Sequence, residues 1–425
     1  MNAMVNARFD KIMASLGFHE TPAGWREEWE EAQASFPGEV PFLAEDFIRE
    51  ACRFCAFPEA IRREFQRAAA LYRNDSDCSR TAWFLHHLYF RDPMPAGNEV
   101  FNWPFVAKVP AAPHAMIPAL VLLAGVPRLR ALHGARGIPQ EVTRATLHDI
   151  DVWMRHFRKN QGYWGLQNMG WPTNHFAGRL FRLGRLQFMH VQYSGSARAF
   201  RHHDTGHVIA LWVGGTKVRR DGYIDGTNDI FDEEARVLEF TLTGDIAEGY
   251  LIHPGGLVTQ QRVVLPLAEW RPALQPGDPV LDVHIPEDGK MDFDACGESL
   301  RQAQAFFAQY FAECPPAVAF VCGTWFFDAQ FRRLLPPTSN IMRFQREFYL
   351  YPMLSHDREA FWRVFGEMPV NLATAPRDTT LRRAMLDFKQ AGGLLRGAAG
   401  FRLIDGISWG SQPYREGEAP AEPRL

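Results

Sequence analysis

Three things are scarce in this chain of 425 residues: charge imbalance, long apolar runs and paired cysteines. Its 46 Lys and Arg face 49 Asp and Glu, a net charge of −3. A chain so balanced carries no electrostatic footprint for nucleic acid or an acidic surface, and neither is expected as a partner. The longest apolar run, Ala115 to Val126, contains Pro118; at about a dozen residues it is too short to span a bilayer, so no membrane is expected either. The opening MNAMVNARFDKIMASLGF lacks a continuous apolar stretch, which argues against a secretory leader. The six cysteines, at 52, 55, 78, 296, 314 and 322, show no disulfide-scaffold spacing. Reduced thiols in a cytoplasmic protein are the expectation. No internal repeat is evident.

What is present is apolar and aromatic. Hydrophobic residues make up 46% of the chain, with 33 Phe and 12 Trp, enough for two or three domains with their own cores. Residues 1–165 carry helical periodicity, for example Ile61, Phe65, Ala68 and Leu71. Cys52-x-x-Cys55 lies inside one such helix and reads as a core-facing pair, since no second Cys or His pair completes a zinc site nearby. A helix over Gln140 to Lys159 presents Leu147, Ile150, Met154 and Phe157 as its apolar stripe. His148, Asp149, Asp151 and His156 fall off that stripe and are expected in solvent. The Gly- and Trp-containing stretch from Gly162 to Pro172 is the expected domain boundary. A strand over Arg185 to Tyr193 puts Arg185, Gln187 and Met189 on one face. From 197 to 270 short strands separated by Gly, Asp and Asn read as a meander. The run His202-His203-Asp204-Thr205-Gly206-His207 has metal-like composition but sits at a turn without a closing ligand set, so no metal is expected. The Pro- and Glu-rich end, 409–425, is expected to be disordered. The whole reads as α+β: a helical domain at 1–165, a mixed α/β domain at 166–408, and a tail.

The chemistry-bearing stretch is 276–348. Pro279 to Pro286 reads as a strand on which Val280, Asp282 and His284 share a face, so a carboxylate and an imidazole are neighbours. A turn, Glu287-Asp288-Gly289, follows, then a helix with its period over Ser299 to Phe311. An almost wholly apolar strand, Val318 to Phe327, comes next, as expected for a strand covered on both faces. A short helix at 328–335 and another capped at Ser339-Asn340 complete the stretch. Strand, helix and neighbouring parallel strand make one βαβ unit, whose crevice lies beyond the strand ends near free helix N–H groups.

The phrases LQPGDPVLDVHIPEDG, CGESLRQAQAFF, FVCGTWFFDAQFRRLLPPTSNIMRFQREF and GRLFRLGRLQF resemble a bacterial family of acyltransferase-domain proteins, over roughly residues 100 to 400. The resemblance implies a helical N-terminal domain and a GNAT-like C-terminal domain with a mixed central sheet and C-terminal helices. It implies transfer of an acyl group from a coenzyme A thioester to an amine on a small molecule or peptide. Carried over by motif, backbone of Val283 and Ile285 would pair with pantetheine, and the pyrophosphate would fall near Cys296, Gly297, Glu298 and Ser299. His284 is the candidate base, oriented by Asp282. Arg185, Gln187 and Asn340 are candidate substrate contacts. Residues 287–298 depart from the family's glycine-spaced phosphate loop: five of the twelve are acidic and only Lys290 is basic. That composition favours an alternative, a non-catalytic binding module that kept the fold. A thiol hydrolase pairing Cys322 with His284, or metal chemistry at 202–207, is a third reading.

Overall fold

The computed structural model describes residues 2–366, 370–405 and 408–414, in two compact units. The first comprises Met1–Leu183 with Pro286–Gly289, the second Gly184–Ile285 with Lys290–Leu425.

The first unit is helical: α1 (Asn2–Ser15), α2 (Trp25–Ala34), α3 (Glu45–Phe54), α4 (Glu59–Arg73), α5 (Ser76–Tyr89), α6 (Gly97–Phe101), α7 (Pro104–Ala107), α8 (Ile117–Ala124), α9 (Val126–Ala135), α10 (Gln140–Leu147), α11 (Asp149–Gln161) and α12 (Thr173–Phe176), with strand β1 (Leu180–Leu183) at its end. Most of its aromatic residues are core, Phe101 being an exposed exception. Trp29 meets Phe84 edge-on at 5.2 Å, and Trp25 meets Trp103 at 5.8 Å, the tilted geometry that ring quadrupoles favour. Cys52 and Cys55 are buried, and burial pushes the Cys52 thiol up to about 12.

Four expectations for this unit are corrected. The boundary falls after Leu183, because Leu166, Met169 and Phe176 lie in the helical core, with Leu166 N–H donating to Ala115. The single helix expected over 140–159 is two, meeting at His148. Asp149 and Asp151 are buried, not solvated: Asp149 Oδ2 lies 2.9 Å from His175 Nε2, and Asp151 Oδ1 accepts from Arg155 Nε at 2.6 Å. Finally, the apolar stretch extends from His114 to Ala135, long and apolar enough by composition to cross a membrane, with 67% of its most apolar window buried in this unit. Pro118 and Pro127 stand in the first turns of α8 and α9, where a missing N–H costs nothing, so they do not interrupt the run.

The second unit contains β2 (Leu186–Gln192), β3 (Ala197–His202), β4 (Val208–Trp212), β5 (Lys217–Val218), β6 (Arg236–Val237), β7 (Thr241–Thr243), β8 (Ile246–His253), β9 (Leu257–Pro266), β10 (Trp270–Leu274), β11 (Pro279–His284), α13 (Phe293–Tyr310), β12 (Ala319–Thr324), α14 (Phe331–Leu334), α15 (Asn340–Arg346), β13 (Tyr349–Pro352), α16 (Asp357–Phe365), α17 (Thr380–Gln390) and β14 (Ala398–Leu403). One sheet runs β2-β11-β12-β14-β13, a second β10-β3-β4-β8-β7 with β9 on β8. In the first sheet β11 and β12 are parallel while β2, β13 and β14 pair antiparallel with their neighbours, so the sheet is mixed.

Register fixes which side chains share a face. Gln187, Met189 and Val191 of β2 stand opposite His284, Asp282 and Val280. On the other side Val280 and Asp282 stand opposite Ala319 and Val321. Val191, Val280, Ala319, Val321, Tyr349 and Phe401 form one core with Ala197, Ala210 and Trp212 of the second sheet. The opposite face carries Phe188, Phe320 and His190, the last against Phe307 of α13. Helices α14 to α17 share a separate apolar cluster built on Phe331, Met342, Phe361 and Met385.

Arg402 of β14 pairs with Glu347 at 2.8 Å, both essentially without solvent exposure. Burial disfavours both charges, lowering the Arg402 pKa and raising that of Glu347, against their mutual attraction. The Glu347 carboxylate also accepts from Gln412 N–H. The expected tail is thus ordered as far as it is described: Trp409 stacks on Phe293, and Tyr414 is buried with its hydroxyl accepting from Leu403 N–H. Residues 415–425 lie outside the described residues.

Candidate functional site

The ladder between β11 and β12 is short. Its pairs are Val280 with Ala319, Leu281 with Phe320 and Asp282 with Val321. Beyond them β11 stays paired to β2 as far as His284, and β12 to β14 as far as Thr324. Among the described residues, Val283 and His284 on one strand and Cys322 to Thr324 on the other therefore have a ladder partner on their outer sides only. Two parallel strands part at their carboxyl ends. The gap is where an extended chain carrying amide groups can add its own hydrogen bonds, as a peptide does at a sheet edge.

Asp282 and His284 stand at this parting on one face, half-exposed, with Asp282 Oδ2 3.1 Å from His284 Nε2. The same face carries Gly323 and, across β14, Tyr351. Tyr351 is buried beside Tyr193, their rings 6.5 Å apart. Burial, with Tyr193, Asp282 and Cys322 nearby, holds its hydroxyl proton more firmly than usual. The sequence reading missed Tyr351. Its signal was the alternation Tyr349-Leu350-Tyr351, hidden behind the helix ending at Arg346.

The named residues separate cleanly. Gln187 lies directly across the ladder from His284 and is buried beside it. Arg185 is in the turn before β2, its Nε donating to Lys290 carbonyl and its N–H to Ser299 Oγ. Asn340 is the first residue of α15, exposed, and the cap is Ser339, whose Oγ accepts from Met342 N–H. Cys322 stands one residue from Val321 and so on the opposite face from His284. It is buried, and burial first, then Asp282 and Cys296, push its thiol well up. A Cys322–His284 nucleophile pair is excluded by that placement.

The start of α13 also differs from expectation. The helix begins at Phe293, with Asp292 as cap accepting from Ala295 N–H. Cys296 N–H is already bonded to the Asp292 carbonyl, so the free N–H groups of this terminus precede 296. Cys296, Gly297 and Ser299 are buried, and a Cβ on Gly297 would meet the Trp409 ring at 2.4 Å. Glu298 pairs with Arg301. Cys296, Gly297 and Ser299, expected at the pyrophosphate, thus lie buried within the first two turns of α13 and not before it.

The acidic turn is not a free acidic surface. Asp288 Oδ2 lies 2.8 Å from Arg182 Nη1 and 3.2 Å from His148 Nε2, and Glu287 Oε1 lies 3.1 Å from His156 Nδ1. Burial alone would raise the Asp288 pKa, but hydrogen bonds from His148 and Arg182 outweigh it and bring it down to about 2 from 3.8. A depressed carboxyl contributes stability that is complete above its unfolded pKa and lost as pH falls through the folded one. Acid unfolding of Asp288→Asn, followed by circular dichroism, should accordingly lose part of the wild-type pH dependence between about pH 4 and pH 2.

The 202–207 histidines are built into a turn. His202 Nδ1 accepts from Asp204 and Thr205 N–H, and His202 and His207 both pack on Trp270. Among the described residues the group at mutual ligand distance is Glu28, Glu31 and His87, and Glu28 already pairs with Arg91.

The family described as GNAT-like C-terminal domain matches residues 180–402, which is 223 of the 425 residues. The chain belongs to that family. A second family, the N-acyltransferase N-terminal domain, matches residues 46–178. No curated protein matches. Among solved structures, an acyltransferase mutant in complex with octanoyl-CoA is similar over 93% of this chain and 98% of its own, at 22% identity and TM-score 0.61. An acyltransferase in complex with decanoyl-CoA and teicoplanin is similar over 93% and 99%, at 21% identity and the same TM-score. At such identity the likeness establishes the shared fold, a helical N-terminal part followed by a GNAT-like part.

Proposed function

We propose that this protein transfers an acyl group from a coenzyme A thioester to an amine on a small-molecule or peptide acceptor. The observation that carries the reading is the parting of β11 from β12 with Asp282 and His284 at its mouth. The pantetheine arm, with its amides, fits the open edge at Val283 to Ile285. The complexes of similar acyltransferases with octanoyl- and decanoyl-CoA support a thioester donor, and the complex with teicoplanin supports an acceptor of this kind.

Attack of the amine nitrogen on the thioester carbonyl forms C–N, breaks C–S and leaves a proton to remove. The imidazole of His284, 3.1 Å from the Asp282 carboxylate, is the group that accepts it. Gln187, across the ladder, bounds the site. The binding-module alternative rested on the acidic loop; of its five carboxylates, Asp288 is engaged by Arg182 and His148 and Glu287 by His156.

Thioester binding tests this reading. At a hundredfold excess over its dissociation constant a coenzyme A thioester should stabilise the protein by about 2.7 kcal/mol. Thermal denaturation with acetyl-, octanoyl- and longer-chain thioesters reads that shift, and no change at millimolar ligand would overturn the proposal. A steric variant locates the site. Gly323 has only Met353 within reach of an added Cβ, with Sδ at 3.7 Å, so Gly323→Phe should fold normally. Its ring would occupy the parting, and titration calorimetry should show affinity reduced about tenfold or more, roughly 1.4 kcal/mol. Wild-type affinity in that variant would place the thioester elsewhere.

A further inference from the structure

The helical unit contains a cavity that the reading of the strands leaves without a use. The end of α3, one side of α9 and the start of α10 enclose about 300 Å³, the lower end of the range for small-molecule pockets. At about 30 Å³ for each water in the liquid, that is room for about ten heavy atoms. Its walls are apolar: Phe54 is the last residue of α3, Pro127 stands in the first turn of α9, and Ile138 lies between α9 and α10. Phe54 and Ile138 are themselves buried.

The charge on the lining is positive. The Arg130 guanidinium lies over the Phe54 ring, 4.4 Å from its centroid, and that of Arg144 lies 5.2 Å from the same centroid. Arg130 lines the cavity, and its carboxylate partner, Glu50 at 3.3 Å, is 72% exposed. Exposed pairs of this kind are weak, so an anion in the cavity competes for Arg130 at small cost. Arg144 donates to Gln140 Oε1 at 3.3 Å, and Gln140 is also on the lining. The start of α10 adds to the same sign. Pro139 caps it without a side-chain bond, and the N–H groups of Val142 and Thr143 both go to the Pro139 carbonyl. Those of Gln140 and Glu141 fall outside the helix's own ladder, and a helix N-terminus favours an anion. Thr143 Oγ1, 2.9 Å from His133 Nδ1, keeps capacity for one more bond.

We propose that this cavity binds a small organic carboxylate, its apolar body against Phe54, Pro127 and Ile138 and its carboxylate at Arg130 and the first turn of α10. The site lies wholly within the first unit and does not rest on the acyltransferase reading. A bare inorganic anion would leave the apolar walls unfilled, and an amine would meet the two guanidiniums as a like charge.

The test uses the full chain, with phenylacetate as the probe and phenylacetamide as its neutral counterpart. Ligand-observed NMR titration should show the carboxylate binding in the millimolar range or tighter, and the amide about tenfold more weakly or worse. Gly134 lies on the lining, and a Cβ there would meet nothing within 4 Å. Gly134→Leu puts a good helix former in place of a poor one within α9, so it should fold and, by filling the cavity, abolish carboxylate binding. Arg130→Gln should lower carboxylate affinity about tenfold and leave that of the amide unchanged. No binding of phenylacetate at millimolar concentration overturns the proposal. Wild-type binding in Gly134→Leu puts the ligand elsewhere and also overturns it. Equal affinity for acid and amide, or an unchanged carboxylate affinity in Arg130→Gln, overturns the assignment of an anion. If Arg130→Gln does not fold, Arg144→Gln removes the other cation and should weaken carboxylate binding while sparing the amide.

Discussion

His284→Ala should lower turnover by about a hundred- to ten-thousandfold, the usual worth of a positioned general base. The imidazole is partly exposed at the parting of the strands, with its Nε2 3.1 Å from Asp282 Oδ2. Removing it leaves the amine's proton to water. Asp282→Asn should cost less, because it takes away charge and orientation but leaves the ring. Thioester affinity should change little in both variants, since the donor contacts proposed at Val283 to Ile285 are made by backbone. A stopped-flow or discontinuous assay of amide formation measures the ratio. Wild-type turnover in a folded His284→Ala protein would assign the residue to structure.

The second large effect is on stability. Arg402 and Glu347 form an ion pair with side-chain exposures of 4% and 0%. Such a pair is held against the desolvation of both partners, so removing one strands the other. Glu347→Ala should destabilise the protein by about 3–5 kcal/mol in denaturant unfolding. The variant also loses the acceptor for Gln412 N–H. Replacing both residues together by apolar side chains of similar volume should recover much of the loss, because no unpaired charge then remains. A single-variant cost within 1 kcal/mol, as at exposed pairs, would mean that water reaches the pair.

How much of this could be read beforehand varies with the range of the interaction. The neighbouring Asp282 and His284 followed from strand alternation alone, because period two is local. So did the βαβ order, with strand, helix and strand in the right sequence. The beginning of α13 was legible and was missed: Phe293, Cys296, Leu300, Ala303 and Phe307 keep helical spacing, and Asp292 is a good cap. Reading the stretch as a phosphate loop hid the helix. The end of β12 was also misplaced, since Trp325-Phe326-Phe327 looks like strand but turns, Thr324 Oγ1 accepting from Phe326 N–H. Other features lay beyond a linear reading. That β11 and β12 part after Asp282 depends on which outer strand holds each. The partners of the acidic turn are far away in sequence, His156 being 131 residues from Glu287, and no local pattern encodes such a pairing. Charge counting over 287–298 therefore described the composition of that stretch but not the partners of Glu287 and Asp288.

The pH dependence of amide formation by wild type and His284→Ala, with the same thioester and amine, tests the central claim most directly. If His284 takes the proton, the wild-type profile of kcat has an ascending limb from its imidazole, and that limb is missing from the variant at every pH where both remain folded. The same ascending limb in both proteins would contradict the account, and would place the base, and with it the reacting centre, away from the end of β11.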